Sequence, residues 1–191
     1  MRRFGLICLM LVIATLILAS GAFAQEEELQ KKKSQSMVVL ACTLAMAIAG
    51  IASAIGISIG GVSAAAVTAE KPEVFSRVLI LEMLPMTQTI YAFIASVLLL
   101  MGAGLLGGKA SMDLLNPTIG NSAIFVGLMI GLTGLSAINQ GMIASAGITA
   151  TGRNPSVAGR AIMLAVMPET IAIFGFLVGL LIMVLGLKIL G

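Results

Sequence analysis

The chain has 191 residues, of which 59% are hydrophobic and only 10% are charged. Soluble domains carry about 25% charged residues, so this composition excludes an ordinary water-soluble protein and indicates a membrane protein. Histidine is absent, which excludes a histidine-based catalytic triad or metal site. The formal net charge of +3 comes from basic residues scattered along the chain, so it predicts no nucleic-acid-binding patch.

The first 24 residues have the pattern of a secretory signal peptide. Two arginines precede a long apolar run, which ends in the small-residue motif Ala22-Phe23-Ala24. We predict cleavage before Gln25. Because the apolar run is long for a signal, an uncleaved fifth membrane helix is the alternative. Residues 25–37 follow as a polar segment, which predicts a short exposed tether.

Four apolar stretches fill the rest of the chain, and each is longer than the roughly 20 residues that a helix needs to cross a bilayer. They cover residues 38–68, 78–107, 121–151 and 161–190. Each of the three breaks between them contains a proline with polar neighbours, which is typical of a turn. The sequence therefore predicts an all-α membrane protein with four transmembrane helices.

The first pair of predicted helices is repeated in the second pair after a shift of 83 residues, from Ser53 to Ser136. The matching pairs include Thr68/Thr151, Pro72/Pro155, Arg77/Arg160, Leu81/Leu164, Pro85/Pro168, Thr87/Thr170 and Phe93/Phe176. The chain is therefore a duplicated helical hairpin with parallel repeats, over residues 38–107 and 121–191.

The charges in the loops predict the orientation. The breaks at 69–77 and 151–160 contain four basic residues, whereas the break between the hairpins contains only Lys109. The positive-inside rule places the first two in the cytoplasm and the mature termini outside the plasma membrane. Three lysines at 31–33 oppose this orientation, although three glutamates precede them.

Two carboxylates are predicted at membrane depth, where an ionised group costs at least about 2.5–3.5 kcal/mol and so suggests function. Glu169 follows Pro168 near the middle of the fourth stretch, and this proline predicts a kink. Glu82 lies nearer the cytoplasmic edge of the second stretch. We expect Glu169 to be functional and leave Glu82 as an uncertain second carboxyl.

Polar side chains on other helices offer Glu169 partners. One face of the second helix, with spacing i, i+3, i+4 and i+7, contains Leu84, Thr87, Gln88 and Tyr91. Glu82 is off this face, rotated by roughly 140° from Thr87. Gln140 of the third helix has Ser136 and Asn139 nearby. Carboxylate, hydroxyl and amide oxygens suit a hard cation. The alternative is that these groups only join helices by hydrogen bonds.

These motifs together resemble the proteolipid subunits, called c-type or K, of vacuolar and archaeal-type rotary ATPases. The resemblance covers residues 38–191 and is based on the duplication and on the segments Leu84–Tyr91, Asn139–Gly141, Ala146–Ile148 and Met167–Thr170. It implies a ring of copies of this chain in the lipid bilayer. It also implies a membrane stator subunit that supplies an arginine, and central stalk subunits that couple rotation to ATP turnover in a soluble head.

The sodium-translocating members resemble the chain most closely. The resemblance implies that Na⁺ is bound by Glu169, by the side chains of Thr87, Gln88 and Gln140, and by the carbonyl of Leu84, with Tyr91 as a lock. Coupling to H⁺ by the same fold is the alternative. The first repeat has Met86 where the second has Glu169, so we expect one carrier carboxylate in each subunit.

The chain lacks a Gly-x-x-x-x-Gly-Lys-Ser/Thr phosphate loop. We therefore expect a non-catalytic, ion-translocating subunit, with ATP turnover in its partners. A second alternative, from a different class, is a free-standing four-helix ion channel or small exporter in which Glu169 is a pore charge.

Overall fold

The computed structural model describes the backbone of residues 2–189 and the side chains of residues 23–189. Most of the predicted signal peptide, residues 1–24, lies outside the residues whose side chains are described. Within residues 2–189 all regular structure is helical. The helices are α1 (Arg2–Glu70), α2 (Phe75–Met83), α3 (Thr87–Gly102), α4 (Pro117–Thr133), α5 (Ser136–Arg153), α6 (Ala158–Val166) and α7 (Glu169–Leu181).

Short tight turns join these helices into longer rods. They include the 3₁₀ turns Pro72–Val74, Leu84–Met86 and Pro155–Val157. A π-helical segment, Ile182–Gly186, follows α7. In the described chain, four rods are long and apolar enough to cross a membrane: Phe23–Glu70, Pro72–Gly102, Pro117–Arg153 and Pro155–Gly186. This confirms the prediction of four transmembrane helices.

Two of the rods bend at the prolines that the repeat places in matching positions. Proline has no N–H to donate to the preceding turn, so α2 ends before Pro85 and α6 ends before Pro168. The carbonyl of Leu164, which Pro168 cannot reach, accepts from the Met167 N–H at 3.3 Å. As a result, Glu169 is the first residue of α7.

The glycine- and alanine-rich rods pack directly on each other. A Cβ on Gly141 of α5 would overlap the backbone of Gly56 in α1, and a Cβ on Gly127 of α4 would overlap the backbone of Ala41. Such close approach gives van der Waals contact between helices in lipid, where water does not drive their association. The other two rods contain large exposed side chains such as Phe93 and Phe174, which suits contact with lipid.

The polar segment predicted as a tether, residues 25–37, is helical and continues α1. Most of its side chains are exposed, and Lys32 pairs with Glu28 one turn away at 2.7 Å. Its last turn packs on the loop between the hairpins. There the buried Ser34 hydroxyl donates to the carbonyl of Leu114 at 2.8 Å, and the Gln35 amide donates to that of Ala103 at 3.1 Å.

The two hairpin loops lie together at one end of the bundle. The Lys71 ammonium donates to the carbonyl of Gly152 at 2.7 Å, and the Arg77 guanidinium donates to that of Pro155 at 3.1 Å. The two hairpins therefore run parallel, and the prolines that follow the loops bring the bends in α2–α3 and α6–α7 to a similar depth.

Candidate ion-binding site

Glu169 is buried where the two hairpins meet. Its side chain is 8% exposed. The Tyr91 hydroxyl of α3 donates to Oε1 of Glu169 at 2.8 Å, and the Gln140 amide of α5 donates to Oε2 at 3.4 Å. The carboxylate is therefore held by one donor from the first hairpin and one donor from the second.

A pair of buried glutamines extends this network. Gln88 is 1% exposed and Gln140 is 0% exposed, and Nε2 of Gln88 donates to Oε1 of Gln140 at 2.7 Å. Gln140 thus accepts from Gln88 while it donates to Glu169. Buried amides are stable when their donors and acceptors are paired in this way.

The 3₁₀ turn Leu84–Met86 adds two more oxygens. The Thr87 hydroxyl lies 3.0 Å from the carbonyl oxygen of Leu84 and 3.2 Å from Oε1 of Gln88. Pro85 interrupts the helix at this point, and the resulting turn directs the Leu84 carbonyl toward Thr87. The bend in the second rod therefore gathers hydroxyl, carbonyl and amide oxygens beside Gln88.

An aromatic contact orients Tyr91. Its ring stacks on Phe176 of α7, with centroids 5.4 Å apart and planes at 23°. Offset stacks of this kind add about 0.5–1.5 kcal/mol beyond area burial. The sequence reasoning missed Phe176. The signal that could have found it is its position two helical turns after Glu169, on the same face of α7.

The sequence matches the family of ATP synthase C subunits twice, over residues 40–99 and 124–182. The chain belongs to this family. An A-type ATP synthase subunit K of Methanocaldococcus jannaschii is 40% identical over 142 residues, which are 74% of this chain and 59% of the relative. A V-type sodium ATPase subunit K of Enterococcus hirae is 38% identical over 145 residues, or 75% of this chain and 88% of the relative.

These relatives place the chain among the proteolipid subunits of V/A-type ATPases, and its four long apolar helices agree with a multi-pass membrane protein. The match spans 59% of the length of the first relative and 88% of the second. The two family matches fall on the two hairpins, in agreement with the internal repeat.

In this proteolipid subunit, Glu82 lies away from the Glu169 network. Its carboxyl faces Gly60 and Gly61 of α1. Its Oε2 is buried and has no hydrogen-bond partner among the residues whose side chains are described. The structure therefore separates these two carboxylates of the apolar rods: Glu169 joins the amide network and Glu82 does not.

The other two polar residues predicted near Gln140 do not join the network either. Asn139 is exposed. Ser136 is buried, and its hydroxyl has no hydrogen-bond partner among the described side chains. Helical rotation explains the position of Asn139, because adjacent residues point in directions about 100° apart and Gln140 points between the hairpins. Ser136 shares the face of Gln140 but lies one turn away from it.

The donor set of the proteolipid subunit suits a small hard cation. The carboxylate of Glu169, the amide oxygens of Gln88 and Gln140, the Thr87 hydroxyl and the Leu84 carbonyl all present oxygen, which Na⁺ and similar cations prefer over nitrogen or sulfur. No three His, Cys, Asp or Glu side chains cluster in the part of the chain that the structure describes. One carboxylate neutralises a monovalent cation, whereas a divalent ion would leave a buried charge.

Proposed function

We propose that this protein carries Na⁺ across the membrane on Glu169 as the rotor ring turns. The proposal depends on one buried carboxylate that accepts hydrogen bonds from the Tyr91 hydroxyl and the Gln140 amide. Through Gln140 it is linked to the oxygens of Gln88, Thr87 and Leu84. The sodium ATPase to which the Enterococcus hirae relative belongs supports the choice of ion.

Binding depends on charge neutralisation. An ionised carboxylate is costly in hydrocarbon, whereas Glu169 with bound Na⁺ has no net charge and can face lipid. The Leu84 carbonyl, the Thr87 hydroxyl and the oxygens of Gln88 and Gln140 replace the water that Na⁺ loses. Each carbonyl oxygen has two lone pairs, so Gln140 can accept from Gln88 and contact the ion. Tyr91 holds the carboxylate in the orientation that closes the site.

Release requires a competing charge. We propose that a stator membrane subunit supplies an arginine that attracts Glu169 and displaces Na⁺. Central stalk subunits then couple the step to ATP turnover in a soluble head, and this chain itself is not catalytic. Moving one charge against a membrane potential requires about 2.3 kcal/mol per 100 mV.

Having one carrier carboxylate in each chain favours ATP-driven ion pumping over ATP synthesis. Met86 occupies the position in the first repeat that Glu169 occupies in the second, so each chain offers one carrier. A ring with one carrier on every two hairpins moves fewer ions per turn, and the free energy available to each ion is larger. ATP synthesis by the complex in vesicles at ordinary ion gradients would refute this proposal.

We further propose that the protein lies in the plasma membrane, with residues 1–24 removed as a signal peptide. The loops at 69–77 and 151–160 would then be cytoplasmic and the mature termini outside. A single cysteine placed at Ser156, which is exposed in the second loop, should react with a membrane-impermeant maleimide only after the cells are opened. Reaction in intact cells would contradict this orientation.

Carbodiimide labelling of Glu169 in purified rings tests the choice of ion. The reagent attacks the protonated carboxyl, so bound Na⁺ should slow labelling at fixed pH, and mass spectrometry can follow Glu169 separately. Gln140→Ala should weaken this protection, so that a higher Na⁺ concentration is needed to slow labelling. The matched control is Asn139→Ala, which changes the exposed amide one residue away and should retain it.

Two other results would replace the proposal. If the rate of labelling depends on pH but not on the Na⁺ concentration, the rotor carries H⁺ instead of Na⁺. A protein that migrates as a monomer or dimer, with no large detergent-resistant ring, would favour a free-standing channel or exporter.

A further inference from the structure

The internal repeat shows which surface of the second hairpin is left uncovered. Leu81 of α2 is 0% exposed and packs beside Gly147 of α5, where an added Cβ would lie 3.5 Å from a Leu81 methyl. Its counterpart in the second hairpin, Leu164 of α6, is 55% exposed. Arg77 donates to the carbonyl of Pro155, whereas its counterpart Arg160 is exposed.

The complementary surface is uncovered on the first hairpin. Leu81 packs in one cluster with Ala144, Ile148 and Ala165. The counterparts of Gly147, Ile148 and Ala165 are Ala64, Ala65 and Glu82, and these three line a groove of about 410 Å³ between α1 and α2. The first hairpin therefore presents to a neighbour the same kind of surface that the second hairpin presents to Leu81.

A second copy of this chain fits this pair of surfaces. Arg160 and Leu164 line a groove of about 290 Å³ on the second hairpin, together with Gly147 and Ala161. If one hairpin follows the next around a ring as the first follows the second within the chain, Leu164 of one copy packs against Ala64 of the next. The contact between copies then continues the packing already present inside one copy.

The two grooves have complementary charges. Among the described residues that line them, Glu82 is the ionisable side chain of the first groove and Arg160 is that of the second. Arg160 precedes Leu164 by four residues, which is about 6 Å along a helix, and an arginine side chain can extend over that distance. When Leu164 enters the first groove, the guanidinium of Arg160 is therefore within reach of the Glu82 carboxylate.

Two glycines of α1 leave room for the Glu82 carboxyl. A Cβ on Gly60 would overlap Oε2 of Glu82, and a Cβ on Gly61 would lie 3.0 Å from Oε1. The counterparts of these two glycines are Ile143 and Ala144, so the second hairpin lacks this space. Oε2 is buried without a partner among the described side chains, and a buried unpaired carboxylate is strongly unfavourable.

We propose that Glu82 forms an ion pair with Arg160 of the adjacent copy, across the contact between neighbouring subunits of the ring. Glu82 then holds neighbouring subunits together, whereas Glu169 carries the ions. The inference rests on the ring assembly of the proposed function and is independent of which ion Glu169 binds.

A double-mutant cycle on the intact ring tests the pair. Removing one partner of a buried pair is strongly destabilising, whereas replacing both partners is often nearly neutral. Glu82→Gln and Arg160→Gln should each lower the temperature at which purified rings dissociate in detergent. The double variant should dissociate close to the wild-type temperature. Arg153→Gln, which changes another exposed arginine near the same loop, is the matched control and should have no effect.

A chemical cross-link gives a second measurement if a glutamine variant does not fold. Carbodiimide joins a carboxylate to an adjacent amine as an amide. In Arg160→Lys rings it should produce covalently linked copies, with the cross-link mapped to Glu82 by mass spectrometry. The link should disappear in Arg160→Lys/Glu82→Gln.

Three results would overturn the proposal: additive effects in the cycle, no cross-link at Glu82, or a Glu82→Gln ring of normal stability that moves fewer ions per ATP. The last would make Glu82 a second carrier. Failure of the proposed function gives a different result, because Na⁺ protection of Glu169 can be lost while the cycle and the cross-link still hold.

Discussion

The two hairpins share a fold but differ in the residues at the level of Glu169. The second hairpin has Glu169 and Gln140, and the matching residues of the first are Met86 and Ile57. The first hairpin contributes Gln88, which pairs with Gln140 within the chain. The carboxylate and amide groups therefore meet only where the first hairpin packs against the second. The duplicated chain therefore has two similar hairpins but only one cluster of this kind.

The glycine-rich rods differ as well, although both contain Ser-Ala-Ile at matching positions. In the first hairpin this tripeptide lies inside the unbroken helix α1, whereas in the second it begins α5 after a break at Gly134 and Leu135. The counterpart of Gly134 is Ile51. An added Cβ at Gly134 would lie 2.9 Å from the Cβ of Ala49, so glycine is needed for the rods to approach there. The same tripeptide is therefore helical in both hairpins, and its different neighbours decide whether a helix break precedes it.

The largest expected effect comes from removing the Glu169 carboxylate, which has no counterpart in the first hairpin. Glu169→Gln should reduce ATP-driven ²²Na⁺ uptake into proteoliposomes to background, because the amide cannot neutralise the ion. Adding Met86→Glu to this variant should not restore uptake, since the counterparts of Gln140 and Gln88 at that depth are Ile57 and Ile171. Uptake restored by Met86→Glu would show that the carboxylate alone is sufficient.

The second effect concerns the amide that bridges the hairpins. Gln140→Ala removes a donor to Glu169 and an acceptor of Gln88. A hydrogen bond to a charged group is worth about 1.5–3 kcal/mol, so we expect the Na⁺ concentration that protects Glu169 from carbodiimide to rise by about 10–100-fold. Asn139→Ala should leave it unchanged. Equal shifts in both variants would mean that the effect comes from α5 as a whole.

The same comparison shows how much the sequence could predict. Hydropathy and the proline-containing breaks located the four rods, and helical spacing placed Thr87, Gln88 and Tyr91 on one face. The repeat by itself distinguishes Glu169 from Met86. Spacing along one helix, however, says nothing about contacts between helices. The bond from Gln88 to Gln140 and the stack of Tyr91 on Phe176 depend on helix rotation and on the depth of each bend, which the order of residues does not reveal.

The sequence also did not predict that α1 continues through residues 25–37. These residues lack an apolar face, which normally indicates an exposed or unstructured segment. The segment is helical nonetheless, as an extension of a packed rod, and Ser34 is anchored to the loop between the hairpins. Helix propagation from an existing helix is much easier than nucleation, and composition alone does not reveal that a nucleus lies next to the segment.

A third prediction concerns the contact between the glycine-rich rods. Gly141→Ala places a Cβ against the backbone of Gly56, and rigid backbone cannot yield as a side chain can. We expect a loss of about 1–3 kcal/mol, as for overpacked cores, measured as a lower midpoint of thermal unfolding. Gly50→Ala is the matched control, since a Cβ there meets no atom within 4 Å. A similar loss in both variants would contradict the proposed contact.

The smallest expected effect separates the two contributions of Tyr91. Tyr91→Phe removes the hydroxyl that donates to Glu169 but keeps the ring that stacks on Phe176. Tyr91→Leu removes both. If the hydroxyl closes the site over a bound ion, Tyr91→Phe should accelerate Na⁺ release more than it weakens binding. A net hydrogen-bond contribution of about 1 kcal/mol corresponds to about a fivefold change in the rate of Na⁺ release.

Stopped-flow exchange of Na⁺ on rings resolves a fivefold change in rate. Tyr91→Leu should release Na⁺ faster still, because it also loses the stack on Phe176 of the second hairpin. Equal rates in wild type and Tyr91→Phe would mean that the stack, rather than the hydroxyl, holds the two hairpins around the ion.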